Sequence, residues 1–356
     1  MRMLFESTRI VALVVASVLT WAIPHAFAAD SVSFKDQTIT MIIGYAPGGG
    51  TDSGGRLAAR FLAKHLPGNP KMIVRNMPGA DGATALNYIM LQTKPDGLTV
   101  TTGSSTQIDP LNYRKAQVHY DPLTFRYIAG MGRKGTALLI NVDAEKRLAD
   151  RSTAPVVMGS VGALPRSGMQ ITAWGIGFLG WNAKWVVGYG GTSAVTLALE
   201  RGEIDMTSLQ EPNAIQRLVE SSRFRILAQP GTFEGGKLVP MPGYGDAPLL
   251  SDMLVGKIAD PVAQKAYDYW IAINAIDKWL ALMPGTPEPV VAAYRAAMTA
   301  TAQDPEFEDL RRKLSDDVIV VPYQTIEDII RRIAATSDEA IDYQKVLLRG
   351  QGLDVP

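Results

Sequence analysis

A two-lobed α/β fold, each lobe a mixed, mostly parallel sheet flanked by helices, is predicted by three observations. Strand-like runs alternate with helical ones through the first hundred residues, a second alternating set follows, and the length exceeds what one core serves. With the first 28 residues set aside, about 328 remain, 47% of the chain being hydrophobic.

The first set reads "TITMIIGY", a helix from Asp52, "KMIVRN", the helical "DGATALNYIMLQT" and "GLTVTTG". The second reads "TALLINV", "PVVMGS", "AKWVVGY", the helix "SAVTLALERG" and "EIDMTSL". The segment from Gly231 to Gly245 is rich in glycine and proline and reads as a surface excursion. Beyond it the pattern turns helical. "PEPVVAAYRAAMTATAQ" sets Val290, Val291, Tyr294, Ala297 and Met298 along one face, and Thr325 followed by Asp328 reads as the cap of a last long helix. The boundaries expected are an export signal over residues 1–28, a first part of lobe 1 over 29–135, lobe 2 over 136–230 and a return to lobe 1 with C-terminal helices over 231–356.

Arg2 and Arg9, the apolar run "IVALVVASVLTWAI" and the small-residue triplet Ala26-Phe27-Ala28 form the pattern of a cleavable secretory signal, so a periplasmic, exported chain starting near Ala29 is expected. The alternative, a membrane anchor, is disfavoured by a short run broken by Pro24. The chain holds no cysteine, which excludes a disulfide framework, a thiolate metal site, a lipoprotein anchor and a cysteine nucleophile. Removing Arg2, Arg9 and Glu6 from 35 basic and 35 acidic side chains leaves 33 and 34, a net charge of −1, which argues against nucleic acid as a partner.

The stretch "IIGYAPGGGTDSGGRLAARFLAKHL", residues 42–66, passes from a buried strand through a glycine elbow into a helix. In a parallel sheet this is where ligands bind, and Gly48, Gly49 and Gly50 let a bound group approach the amides directly. Thr51 or Asp52 can cap the helix, whose N-terminus offers donors and partial positive charge to an anion. Thr51-Asp52 stands where a Walker loop needs its Gly-Lys-Ser/Thr ending, and Gly48, Gly50 and Gly55 miss the dinucleotide spacing. A tight turn that binds nothing stays open on the elbow alone.

"YAPGGGTDSGGR", "VRNMPGADG", "KPDGLTV" and "HYDPLTF", followed by "GSVG", "VGYGGTSAVTLALERGEID" and "MPGTPEPVVAAYRAAM", change that. In order and spacing they resemble the solute-receptor family of tripartite tricarboxylate transporters, the Bug family, over essentially the whole chain after residue 28. The resemblance implies a two-lobed periplasmic binding protein of type II-like arrangement that closes an interlobe cleft on a small organic carboxylate, a di- or tricarboxylate or an aromatic acid. It further implies delivery to integral membrane transporter subunits, with no enzymatic activity, cofactor or metal, and action as a monomer. Carried over by motif, the first-lobe ligand residues are Tyr45, Pro47, Gly48, Gly49, Thr51 and Asp52, flanked by Ser104, Ser105 and Thr106. The second lobe contributes Ser160, Gly162, Ala163, Tyr189, Gly190 and Gly191, with Arg166 as a candidate partner for a second carboxylate. Met77, Asp81 and Gly54-Gly55 depart from the family pattern, and "GALPRSGMQITAWGIGFLGW" keeps little of it.

Other side chains have plainer readings. Arg166 is equally a solvated loop arginine, and Arg56 and Arg60 lie along the helix side in structural roles. Trp174, Trp181, Trp185 and Phe178 are expected in a core ahead of stacking on a ligand. His65 and His119 lack the neighbours of a zinc site. The rival functions are a secreted hydrolase, for which no serine lies in a G-x-S-x-G elbow, and a sensing, adhesion or scaffold protein on the same fold.

Overall fold

The computed structural model describes residues 32–355, apart from 49, 134, 162–164, 166, 190–191, 235–236 and 315–317. The expected export signal therefore lies outside the described residues.

Two mixed sheets flanked by helices carry the fold, as the alternation of runs predicts. The first is six-stranded, in the spatial order Val318–Pro322, Arg126–Arg133, Lys278–Leu282, Thr99–Ser104, Thr38–Ile43 and Lys71–Asn76. Its last three strands are parallel, joined through the helices Gly50–His65 and Ala83–Gln92 because parallel neighbours need a crossover connection. The second is five-stranded, in the order Ala183–Tyr189, Val156–Val161, Met206–Leu209, Ala137–Asn141 and Phe224–Ala228. Here the first three are parallel and Ala137–Asn141 runs against both of its neighbours.

Register places the two sheets' strand ends beside each other. Met131, Lys278 and Ser104 share one row of the first sheet, at the carboxyl end of Thr99–Ser104 and near that of Arg126–Arg133. Ala137 pairs with Leu209 at the carboxyl end of Met206–Leu209 in the second sheet. Only residues 134–136 separate Arg133 from Ala137, so the two edges are at most about 15 Å apart along the chain.

Each sheet is packed on both faces. The Gly50–His65 helix lies on one side of the first sheet, with Ala58, Ala59 and Leu62 against Ile39, Met41, Ile43, Leu280 and Leu282. The opposite side holds Trp279, which is fully buried with Tyr127 edge-on at 5.8 Å and Phe125 tilted at 5.9 Å, contacts that add about 0.5–1.5 kcal/mol each beyond burial. The second sheet buries Trp174 against Tyr267 and Trp270 of the Pro261–Asn274 helix. That helix also supplies Tyr269 and Ala272 to the first sheet's core, so one element serves both.

Three local details differ from the sequence reading. The Gly231–Gly245 excursion folds a hairpin, Thr232–Glu234 with Lys237–Val239, and buries Met241 and Tyr244 in the second sheet's core. Its backbone is tied down because Gln229 Oε1 accepts from the Met241 amide at 2.6 Å. The helix expected to be capped at Thr325 starts earlier, as Tyr323–Ala334, directly after the strand ending at Pro322 and without a side-chain cap. It is also not the last helix. Asp338–Arg349 follows, capped by Ser337, and rests on the second sheet's side, where Gln344 Nε2 donates to Gln170 Oε1 at 2.6 Å.

Candidate functional site

The glycine elbow folds as a braced loop at the carboxyl end of the Thr38–Ile43 strand. Gly48 has φ +87°, a conformation that costs an L side chain about 1–2 kcal/mol, and a Cβ there would meet no atom within 4 Å. The loop therefore turns a bare backbone toward open space. Its shape is held by Asp52 in the first helical turn, whose carboxylate accepts from the Gly48 amide at 2.9 Å, Arg56 Nε at 2.9 Å and Asn76 Nδ2 at 2.8 Å. Burial pushes the Asp52 carboxyl up, but the hydrogen bonds from Arg56, Gly48 and Asn76 together with the Arg56 charge outweigh it and hold the group below its ordinary value. Asp52 is thus a brace anchored by three donors, and Arg56 balances its charge. The first four amides of a helix have no intrahelical acceptor, and this helix starts at Gly50, directly after the elbow.

Helix and sheet approach closely here. A Cβ at Gly55 would lie 2.7 Å from Ile43 Cδ1 and Thr102 Cγ2, and one at Gly54 would lie 2.7 Å from Met131 Cε. The departure at Gly54-Gly55 noted in the sequence is this close contact of helix on sheet.

A second loop locks onto the first. The Tyr45 hydroxyl lies 2.6 Å from Ser104 Oγ and donates to the Asp81 carbonyl at 3.1 Å. Burial raises the Tyr45 pKa, which keeps its proton in place. The Ser104 amide donates to Gln107 Oε1 at 2.9 Å, and Trp279 Nε1 donates to the Ser104 carbonyl at 2.9 Å. Gln107 Nε2 reaches the Gly82 carbonyl at 3.2 Å, and a Cβ on Gly44 would stand 2.8 Å from Gly82 Cα. Ser105 and Thr106 form the first turn of the short helix Ser105–Ile108. Three strand-end loops therefore meet as one fixed surface.

The structure brings together Tyr45, Gly48, Thr51, Asp52, Ser104, Ser105 and Thr106, with Pro47 exposed on the same loop. In the second sheet, Ser160 is the last residue but one of the Val156–Val161 strand and is fully buried, paired with Val187 and with its hydroxyl 3.3 Å from Met169 Sδ, so the structure does not open this expected ligand residue to a cleft. Tyr189 closes the neighbouring strand just before the helix Thr192–Arg201. Gly49, Gly162, Ala163, Arg166, Gly190 and Gly191 lie outside the described residues. Sequence reasoning missed Asn76, Gln107 and Lys278. Lys278 pairs with Asp277 in the row of Ser104, and nothing in "AIDKW" marks it.

The link between the sheets is pinned at this edge. Thr136 Oγ1 accepts from Gln210 Nε2 at 3.2 Å, the Tyr244 hydroxyl donates to the Gly135 carbonyl, and a Cβ on Gly168 would fall 2.0 Å from Thr136 Oγ1. The Trp174, Trp181 and Phe178 side chains belong to the second sheet's core and its margin, and Trp185 Nε1 donates to Gln351 Oε1 at 3.0 Å. Among the described residues no cluster of three or more potential metal ligands occurs, and no helix is long and apolar enough to cross a membrane.

No family model matches the chain. A protein of the UPF0065 group from Bordetella pertussis is 26% identical over 293 residues, covering 79% of this chain and 81% of that one. Among solved structures, a TctC solute binding protein from Polaromonas superposes with a TM-score of 0.64 at 22% identity, covering 86% of this chain and 98% of that one. An R. palustris protein solved with adipate superposes with a TM-score of 0.52 at 19% identity, covering 89% and 97%. These relatives agree with the resemblance read from the motifs and bear out the two-lobed fold.

Proposed function

We propose that this chain is an exported solute receptor that captures a small organic carboxylate between its two lobes and delivers it to a membrane transporter of the tripartite tricarboxylate type. The observation that carries the reading is the elbow itself: a bare, left-handed Gly48 beside a helix N-terminus, braced from behind by Asp52 and Asn76. Amides and a helix end attract an anion without a formal charge, at about 0.3–1 kcal/mol for the dipole, which suits cargo that must be released. Likeness to the Polaromonas TctC protein supports a receptor role, and the adipate-bound neighbour favours a dicarboxylate as cargo.

Function would follow from differential affinity. A carboxylate touching both sets of strand-end loops stabilises the closed arrangement over the open one, and the membrane partner reads the closed form. The start of the helix after Gly48 and the Ser105–Thr106 turn would hold one carboxylate, with Gly48, Tyr45 and Ser104 fixing the shape of those loops, and the loops after the strands of Ser160 and Tyr189 would hold the distal part of the ligand. In this reading the protein is a periplasmic monomer without catalytic activity.

A thermal-shift screen of the protein without its first 28 residues, against mono-, di- and tricarboxylates including adipate and aromatic acids, tests the proposal. A concentration-dependent rise in melting temperature for one class, confirmed by calorimetry, supports it. A flat screen on folded protein, or turnover of model esters with labelling by serine-directed probes, would contradict it.

A further inference from the structure

Lys278 opens the strand Lys278–Leu282, which lies between Thr99–Ser104 and Arg126–Arg133 in the first sheet. A lysine is unusual there, because strands flanked on both sides favour β-branched and aromatic residues and a lysine is seldom buried without a partner. No more than 12% of its side chain is exposed. Pairing in the sheet fixes the face it occupies: residues directly opposite one another project from the same side, so Ser104, Lys278 and Met131 stand in one row.

That face carries the start of the Gly50–His65 helix. A Cβ on Gly54 would lie 2.7 Å from Met131 Cε, and on the other flank Ser104 Oγ lies 2.6 Å from the Tyr45 hydroxyl. The next row inward on the same face, Thr102, Leu280 and Ala129, is buried core. Lys278 therefore sits on the rim between the core and the strand ends, and its ammonium bonds Asp277, which precedes the strand, so the head points outward past the strand end.

The Asp277 carboxylate accepts one of the three N–H groups of the ammonium, and no other acceptor for it occurs among the described residues. Asp52, the acid at the helix start, is already committed to Gly48, Arg56 and Asn76. A cation with unclaimed donors beside the positive end of a helix is favoured by an anion that meets both.

We infer that Lys278 is a specificity-determining residue of the strand-end site: its ammonium pairs with a carboxylate of the cargo, so the site takes the ionised acid and rejects the uncharged amide. The inference rests on the strand-end reading and adds a formal charge to the amides of the loops. Asp277 holds the ammonium before capture and takes it back on release, which keeps binding reversible.

Calorimetric titration with succinate, adipate, citrate and benzoate tests it, with the corresponding primary amides as uncharged controls. Each acid that binds the parent protein should bind about tenfold more weakly to Lys278→Gln, and its affinity there should depend less on salt. The double variant Lys278→Gln with Asp277→Asn leaves no acid stranded and should bind as weakly as Lys278→Gln. Full affinity in either variant would overturn the inference and leave the strand-end reading standing. Equal binding of the amides by the parent protein, or no binding of any of the four acids, would overturn both.

Discussion

The Tyr45 hydroxyl and Ser104 Oγ stand 2.6 Å apart and join loops from two parallel strands, the ends of Thr38–Ile43 and Thr99–Ser104. Ser104 is fixed at its amide by Gln107, at its carbonyl by Trp279 and at its hydroxyl by Tyr45. Tyr45→Phe removes one of these ties. The loss should lower stability by about 0.5–1.5 kcal/mol, read by denaturant unfolding, and weaken carboxylate binding.

Asp52→Asn should have a larger effect than Tyr45→Phe. The neutral amide weakens three hydrogen bonds and leaves the Arg56 charge without its partner, at a cost of about 2–3 kcal/mol. Because the amide of Gly48 then loses its anchor, ligand affinity should fall together with stability, and calorimetry on the folded variant separates the two.

Gly48→Ala should lower stability by about 1–2 kcal/mol through backbone strain alone, since its Cβ would meet no neighbour within 4 Å. The same Cβ enters the space assigned to the ligand, so carboxylate affinity should drop by more than the stability change explains. Unchanged affinity would move the site elsewhere.

Gly55→Val tests packing. Its Cβ would lie 2.7 Å from Ile43 and Thr102, and pushing the helix off the sheet should cost about 1–3 kcal/mol, visible as a lower melting temperature.

Acid lability should centre on Asp304. Lys64 at 2.7 Å holds its carboxyl down at about 2 against burial, helped by His65 at 2.8 Å and the Glu306 amide at 2.9 Å. A carboxyl whose folded pKa is depressed contributes stability above its unfolded value near 4 and loses it as pH falls toward 2. Asp304→Asn should flatten that part of the stability profile and leave the neutral-pH ligand affinity intact.

The elements legible in the sequence were those with local signals. "KMIVRN" and "AKWVVGY" coincide with strands Lys71–Asn76 and Ala183–Tyr189, because β-branched runs bounded by turns are self-contained. The elbow was visible because consecutive glycines between strand and helix have few other uses. Its brace was not: Asn76 reaches Asp52 from a strand 24 residues on, and Lys278 joins the row of Ser104 only through antiparallel pairing. The Gly231–Gly245 segment was misread for a related reason. Glycine and proline describe the backbone of a turn, and the partners that bury Met241 and Tyr244 come from distant strands.

Hydrogen–deuterium exchange with and without a saturating carboxylate identified by the screen tests the central claim most directly, because it reads the loops themselves. The account predicts slowed exchange over residues 44–52 and 103–108, together with 158–161 and 188–192 of the second lobe. Protection confined to residues 251–271 and 332–336, or none despite measured binding, would contradict a strand-end site between the lobes.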